Sequence, residues 1–133
     1  MMISQSLWFK AAAENDFNTL KKALEDGFDI HTTDKKENTA LHLASKHAHL
    51  KSMELLIKHG ANVDAQNDWL STPLHLTEKN IDAIRMLLEA GAEPNIQDKD
   101  WDYPYYFAFY GSMTRELTML YIKHGATLKI VDQ

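Results

Sequence analysis

The most informative stretch of this sequence is Thr72-Pro73-Leu74-His75-Leu76, because it is repeated. A copy, Thr39-Ala40-Leu41-His42-Leu43, occurs 33 residues earlier. A divergent third copy, Tyr103-Pro104-Tyr105-Tyr106-Phe107, follows 31 residues later. The pattern predicts the start of a helix, since threonine caps free backbone N–H groups and proline suits the first helical turn. We expect each leucine to point into the core. We expect His42 and His75 to bridge backbone groups of neighbouring loops.

Glycines repeat in the same phase as these motifs. Gly27, Gly60, Gly91 and Gly125 are spaced by 33, 31 and 34 residues and account for four of the five glycines. Each follows an apolar stretch such as Leu55-Leu56-Ile57-Lys58-His59. This position indicates the residue just after a helix end, where the backbone is left-handed and a side chain would clash. The chain is therefore an internal repeat with a period of about 33 residues.

The second repeat shows what one unit contains. Two short amphipathic helices fit between the motif and the glycine, at about residues 40–48 and 50–58. The polar segment Ala61-Asn62-Val63-Asp64-Ala65-Gln66-Asn67 then leads into a turn before the next threonine. One helix pair cannot bury its apolar face alone, whereas stacked neighbours can. We therefore predict an all-α solenoid.

With these motifs the chain resembles the ankyrin repeat family. The match rests on the two Thr-Pro-Leu-His-like motifs and on Leu55-Leu56-Ile57-Lys58-His59-Gly60-Ala61-Asn62-Val63-Asp64. The resemblance implies helix-turn-helix units with protruding β-hairpin-like fingers, used to bind other proteins and rarely for catalysis. We expect no cofactor. The predicted domain is residues 1–133, with repeats at about 4–33, 34–66, 67–97 and 98–133.

The third repeat is shorter than the second. Thr72 and Gly91 are 19 residues apart, against 21 for Thr39 and Gly60. The deletion falls near Lys79 and either shortens a helix or reshapes the surface groove.

Composition and charge restrict the partner. The 14 basic and 19 acidic residues give a net charge of −5, and the excess lies in residues 62–133, with six basic against eleven acidic side chains. This balance argues against binding nucleic acid or an anionic membrane, which both favour a basic face. A local acidic field favours a basic protein partner. The chain has no cysteine, no 18-residue apolar run and no secretory leader pattern, so we expect a cytoplasmic protein, monomeric on its own.

The resemblance places partner contacts at the finger tips and on the exposed face of each first helix. Where the family commonly has a turn glycine, this chain has Glu37, Leu70 and Trp101, so the usual finger geometry does not follow from the sequence. The predicted partner-binding residues are Lys36, Lys46, His47, Asp68, Trp69, Leu70, Glu78, Lys79, Asp100, Trp101, Asp102, Tyr103 and Tyr110.

Aromatic residues in this set allow two interpretations. Trp69 and Trp101 either face a partner, since tryptophan is enriched at binding hot spots, or fold back onto the stack. Residues 101–110 hold seven of the thirteen aromatic residues and form either a C-terminal cap or part of the binding surface. For the cap, Tyr105, Phe107 and Phe109 are better core candidates than Tyr106 and Tyr110.

Catalytic and metal-binding patterns are weak. His42, His47 and His49 do not share a helical face well, and no thiolate or HExxH spacing supports a zinc site. Asp98, Asp100 and Asp102 alternate as in a calcium loop, but the glycine and the closing glutamate are absent. We interpret this run as a solvated or partner-facing finger, and the chain as no enzyme.

Two functions remain. The first is an inhibitor, similar to an immunity or antitoxin-like protein, that blocks a basic protein by occlusion. The alternative is a scaffolding adaptor or effector that engages a host or assembly partner.

Overall fold

Helices follow one another in pairs along the chain. The computed structural model describes residues 2–109 and 114–128, with the side chains of 107–109 left out. Within these ranges it has seven α-helices, one 3₁₀ helix and no strand. In chain order these are α1 (Gln5–Ala13), α2 (Phe17–Glu25), α3 (Ala40–Lys46), α4 (Leu50–Lys58), the 3₁₀ helix (Pro73–Thr77), α5 (Ile81–Glu89), α6 (Pro104–Phe109) and α7 (Arg115–Lys123).

Short polar side chains begin most of the helices. The Thr39 hydroxyl accepts the backbone N–H of His42 at 3.3 Å, which starts α3 as the motif predicts. Asn80 caps α5 in the same way, accepting the N–H of Ala83 at 3.0 Å. Such caps satisfy N–H groups that have no partner inside the helix.

Glycine ends each second helix in a left-handed turn. Gly60 has φ +91°, and its N–H donates to the Ile57 carbonyl at 3.0 Å. The next N–H, from Ala61, donates to the Leu56 carbonyl at 3.0 Å. These paired bonds form the Schellman motif, which satisfies the last helical carbonyls. The other three repeat glycines have φ between +87° and +95°, so the predicted left-handed positions are confirmed.

Apolar side chains from every helix pair form one buried cluster. Trp8 is fully buried in the first pair, with its ring 4.6 Å from that of Phe28. In the last pair Tyr105 is buried and meets Tyr121 edge-on at 5.7 Å, so its predicted core position is confirmed. Tyr106 is exposed, as expected, whereas the side chains of Phe107 and Phe109 lie outside the described residues.

The deletion shortens the first helix of the third pair. A five-residue 3₁₀ helix, Pro73–Thr77, stands where the second pair has the seven-residue α3. The chain then reverses at Glu78, with φ 51° and ψ −112°, and the N–H of Asn80 donates to the Thr77 carbonyl at 3.0 Å. The two-residue deletion therefore shortens a helix.

The helices of the described residues have at most nine residues, fewer than a membrane-spanning helix needs.

Candidate partner-binding surface

Three tight turns, which we call the fingers, project from the helix pairs at residues 34–38, 67–71 and 98–102. Each begins with an Asx residue: Asp34, Asn67 and Asp98. Its side-chain oxygen accepts the N–H groups two and four positions later, at 2.9–3.0 Å. Its own N–H donates to the carbonyl four positions later at 3.0 Å. One such closure per turn gives a hairpin-like shape without a strand.

The fourth residue of each finger has the backbone of a turn glycine. Glu37, Leu70 and Trp101 have φ of 62°, 58° and 66°. Each donates its N–H to the carbonyl of the Asx residue at 2.9–3.0 Å. The left-handed geometry is therefore kept despite the larger side chains. A non-glycine residue in this conformation costs about 1–2 kcal/mol.

Hydrogen bonds tie the fingers to one another. The N–H of Asp68 donates to the Lys36 carbonyl, and that of Lys99 to the Trp69 carbonyl, both at 3.0 Å. The Asn67 amide also donates to the Asn38 side-chain oxygen at 2.9 Å. The three fingers thus form one connected row.

Two buried histidines fasten this row to the helices, as the sequence predicts. In His42, Nδ1 accepts the Thr39 N–H at 3.0 Å and Nε2–H donates to the Ser71 carbonyl at 2.8 Å. His75 makes the same bonds to Thr72 and, at 3.0 Å, to the Asp102 carbonyl. Burial lowers the pKa of both histidines below 6.5, although the bonds to the carbonyls oppose the shift. Both rings are therefore neutral at pH 7.

Trp69 lies across two fingers with 49% of its surface exposed. Its indole Nε1–H donates to a carboxylate oxygen of Asp100 at 3.3 Å. The Lys99 ammonium lies 5.6 Å from the ring centroid, within cation–π distance. Trp69 neither enters the core nor stands free, because the third finger holds its ring in place.

Trp101 and Leu70 occupy the left-handed tips. Trp101 is 76% exposed, the largest fraction among the big apolar side chains of the described residues, and Leu70 is 43% exposed. Neither side chain replaces a glycine contact by folding into the stack. The fingers therefore present three exposed apolar groups in a row.

A groove of about 410 Å³ lies beside Trp69, between the first two fingers and the helices behind them. This volume is in the range of ligand-binding clefts. Leu43 and Leu76 contribute apolar surface, and Lys36, Lys46 and Asp68 contribute charge. The remaining lining residues are Asn38, Asn67, Trp69 and Ser71.

The four residues predicted on first-helix faces separate into two groups. Lys46 ends α3 and His47 is its C-cap, and both are exposed. Glu78 and Lys79 are exposed but lie in the turn after the 3₁₀ helix, so their assignment to a helix face is wrong. The reason is the deletion, since the helix ends at Thr77 and the chain reverses at Glu78 and Lys79.

The tyrosines predicted to face a partner are only partly described. Tyr103 is half-buried and stacks on Tyr105, with ring centroids 5.0 Å apart. Tyr110 lies outside the described residues. Tyr103 therefore packs as part of the aromatic end of the stack.

Three carboxylates crowd the third finger. Oxygens of Asp98, Asp100 and Asp102 lie within 4.8 Å of one another. Burial, then the charges of Asp98 and Asp100, raise the pKa of Asp102. Asp98 is buried and its Oδ1 closes the finger, so the alternation has a structural role that the calcium-loop comparison overlooks.

Sequence reasoning missed the residues whose side chains close each finger. Asp34, Asn67 and Asp98 each lie five residues before Thr39, Thr72 or Tyr103, and this spacing could have identified them. The groove left no such signal, because Leu43, Leu76 and Trp69 meet only in three dimensions.

Comparison with known proteins gives a consistent result. A family model described as ankyrin repeats, in three copies, matches residues 8–98. Human inversin is 31% identical over 113 residues, which are 82% of this chain and 10% of inversin.

Two further relatives match shorter stretches. Serine/threonine-protein kinase 12 of Arabidopsis thaliana is 36% identical over 84 residues, 62% of this chain and 18% of the kinase. The ankyrin repeat protein FPV031 of fowlpox virus is 41% identical over 66 residues, 47% of this chain and 19% of the viral protein. The chain thus spans less than a fifth of each of these relatives.

Proposed function

Since the chain belongs to the ankyrin repeat family, a family of protein-binding modules, we propose that its row of fingers docks on a protein partner and blocks it. The observation that carries this proposal is the exposure of Trp69, Leu70 and Trp101 on the second and third fingers, which are joined by a backbone hydrogen bond. Tryptophan is enriched among residues that dominate binding energy. Trp101 adds a second argument. Its backbone is left-handed, a conformation that glycine adopts more easily, and yet the position has an indole that is 76% exposed. Such strained positions cluster at functional sites.

Rigidity of the surface favours tight binding. The fingers are joined by backbone hydrogen bonds, and His42 and His75 hold them against the helices. A surface that is already ordered loses little conformational entropy on association. Occlusion needs no more than such a preformed face, so the proposed mechanism is non-enzymatic.

Charge favours a basic partner. The third finger has Asp98, Asp100 and Asp102 against Lys99, and the whole chain has a net charge of −5. An acidic surface attracts a basic protein and raises its association rate. We propose an inhibitor of the immunity or antitoxin type that acts in the cytoplasm as a monomer and neutralises a basic protein.

Removal of the two indoles tests the anchor role. Trp69→Ala with Trp101→Ala should weaken binding of the partner co-purified from native cells by more than about 2 kcal/mol, or about 30-fold, measured by titration calorimetry. Met2→Ala with Leu7→Ala is the matched control, since both side chains are exposed in the first repeat, outside the fingers. Full affinity in the tryptophan variant would contradict the proposal.

A single substitution separates binding from folding. Trp101→Gly should weaken binding while leaving the fold at least as stable, because relief of about 1–2 kcal/mol of left-handed strain offsets glycine's entropy cost of about 0.5–1 kcal/mol. Thermal unfolding monitored by circular dichroism provides that readout.

A scaffolding adaptor or effector is the second candidate. The exposed Met119 and Ile122 on α7 favour it, because they offer an apolar contact outside the fingers. An adaptor would hold two different proteins in one particle, whereas an inhibitor forms a one-to-one complex. Light scattering of the purified complex distinguishes the two.

A further inference from the structure

The groove beside Trp69 differs in charge from the third finger. It is lined by Lys36 and Lys46 against the single carboxylate of Asp68, whereas the third finger has three carboxylates against one lysine. We propose that this groove binds an acidic-aliphatic segment of the partner: a leucine-like side chain against Leu43, Leu76 and Trp69, and a neighbouring carboxylate at Lys36 and Lys46. The inference rests on the proposed function and specifies which kind of partner segment binds in the groove.

The apolar part of the groove is already in place. Leu43 and Leu76 are the last residues of the two five-residue motifs, and each is only half-buried. Trp69 lines the same groove, with its ring held by Asp100 and Lys99. A branched aliphatic side chain that enters here removes three apolar surfaces from water, at about 25 cal/mol per Å² buried.

The two lysines are available to a ligand. Within the described part of the chain, neither the Lys36 nor the Lys46 ammonium forms an ion pair or a hydrogen bond. Both residues are exposed and line the same groove. A carboxylate is the complementary group, because it accepts charge-assisted hydrogen bonds from ammonium donors.

The deletion in the third repeat makes α3, which ends at Lys46, longer than the helix that follows it in the stack. Ala44 corresponds to Thr77 in the 33-residue register, and α3 continues through Ser45 and Lys46. The 3₁₀ helix stops at Thr77 and has no residues equivalent to this last turn. In this register Lys46 corresponds to Lys79, which lies in the turn, so α3 extends two residues beyond the helix of the third repeat and ends at a residue that lines the groove.

A short probe peptide tests the inference on the full chain. The probe is acetyl-Gly-Glu-Leu-Glu-Gly-amide, titrated to about 10 mM while amide, indole and methyl resonances are followed by NMR, since isolated segments bind with millimolar constants. Saturable shifts of the Trp69 indole N–H and of the Leu43 and Leu76 methyl groups are expected. Matched peptides with lysine for glutamate, or serine for leucine, should bind at least about fivefold more weakly.

Protein variants locate the site. Lys36→Gln with Lys46→Gln should weaken binding of the acidic peptide at least about fivefold. Lys21→Gln with Lys58→Gln makes the same change of net charge on α2 and α4 and should leave binding unchanged. The inference is overturned by equal binding of the lysine peptide, by a lysine-pair variant that binds like the unmodified protein, or by no saturable shift.

Failure here is distinguishable from failure of the proposed function. If the peptide does not bind but the tryptophan variant loses affinity for the captured partner, the groove inference is wrong and the anchor proposal stands. If the peptide binds and the tryptophan variant keeps full affinity for that partner, the anchor proposal is wrong, and the groove binds acidic-aliphatic segments but not one of that partner.

Discussion

Two histidines show how much a single residue contributes to this surface. His42 and His75 each accept an N–H at the start of their own helix and donate to a carbonyl of the next finger. Protonation of Nδ1 would end its role as an acceptor, and burial disfavours the charged ring. The fingers are therefore held most firmly when both rings are neutral.

This neutrality predicts how stability depends on pH. The pKa of each histidine in the folded protein lies below its ordinary value of 6.5. At a pH between these two values, the unfolded chain therefore binds more protons than the folded chain. The free energy of unfolding therefore has its full value above pH 6.5. It decreases as the pH falls toward the folded pKa, by up to about 1.4 kcal/mol per pH unit for each histidine. Chemical denaturation between pH 7.5 and about 5 measures this slope.

A variant assigns the slope to the residue. His75→Gln should be less stable at pH 7.5 but should lose less free energy of unfolding on acidification than the unmodified protein. His31→Gln is the control, because its side chain is exposed in a loop. An unchanged slope in His75→Gln would show that His75 does not contribute to the pH dependence.

Among the structural elements, the shortened third repeat contains a strained backbone position at Glu78. Glu78 has φ 51° and ψ −112°, close to the first central position of a type II′ turn, at about +60° and −120°. Glycine dominates that position because it lacks a Cβ. The chain therefore reverses directly after a five-residue 3₁₀ helix, with Glu78 in a backbone conformation that glycine favours.

Relief of this strain should stabilise the protein. Glu78→Gly is expected to raise the free energy of unfolding by about 1 kcal/mol and Tm by about 4 °C, since backbone strain of this kind costs about 1–3 kcal/mol. Lys79→Gly, one residue further in the same turn, is the control and should lower stability by up to about 1 kcal/mol. A lower Tm in Glu78→Gly would exclude the strained turn.

The whole molecule separates its charge along the solenoid. Residues 1–61 are balanced, with eight basic and eight acidic side chains, and residues 62–133 carry the full excess of acid. The groove of the second repeat has two lysines, and the third finger has three aspartates. The field that attracts a partner is thus centred on the later repeats.

Salt should therefore slow association with a basic partner. Between about 0.02 and 0.5 M ionic strength the association rate is expected to fall at least about tenfold, measured by stopped-flow fluorescence. Asp100→Asn with Asp102→Asn should flatten this dependence. Glu14→Gln with Glu25→Gln makes the same change of net charge in the first repeat and should flatten the salt dependence less. Equal effects of the two variants would show that the third finger contributes no more to association than the first repeat does.

Local patterns by themselves determined the repeat, because caps, left-handed glycines and helix periodicity depend on residues within one turn of each other. Gly27, Gly60 and Thr39 could be assigned from sequence for that reason. The bridging role of His42 and His75 followed from their place in the repeated motif, although the bonds to Ser71 and Asp102 span 29 and 27 residues. The sequence left open whether Trp69 and Trp101 are exposed, and it placed Glu78 and Lys79 on a helix face. These points needed the folded chain, because the Trp69–Asp100 bond joins groups 31 residues apart and the effect of the two-residue deletion on the helix is not encoded in the local pattern.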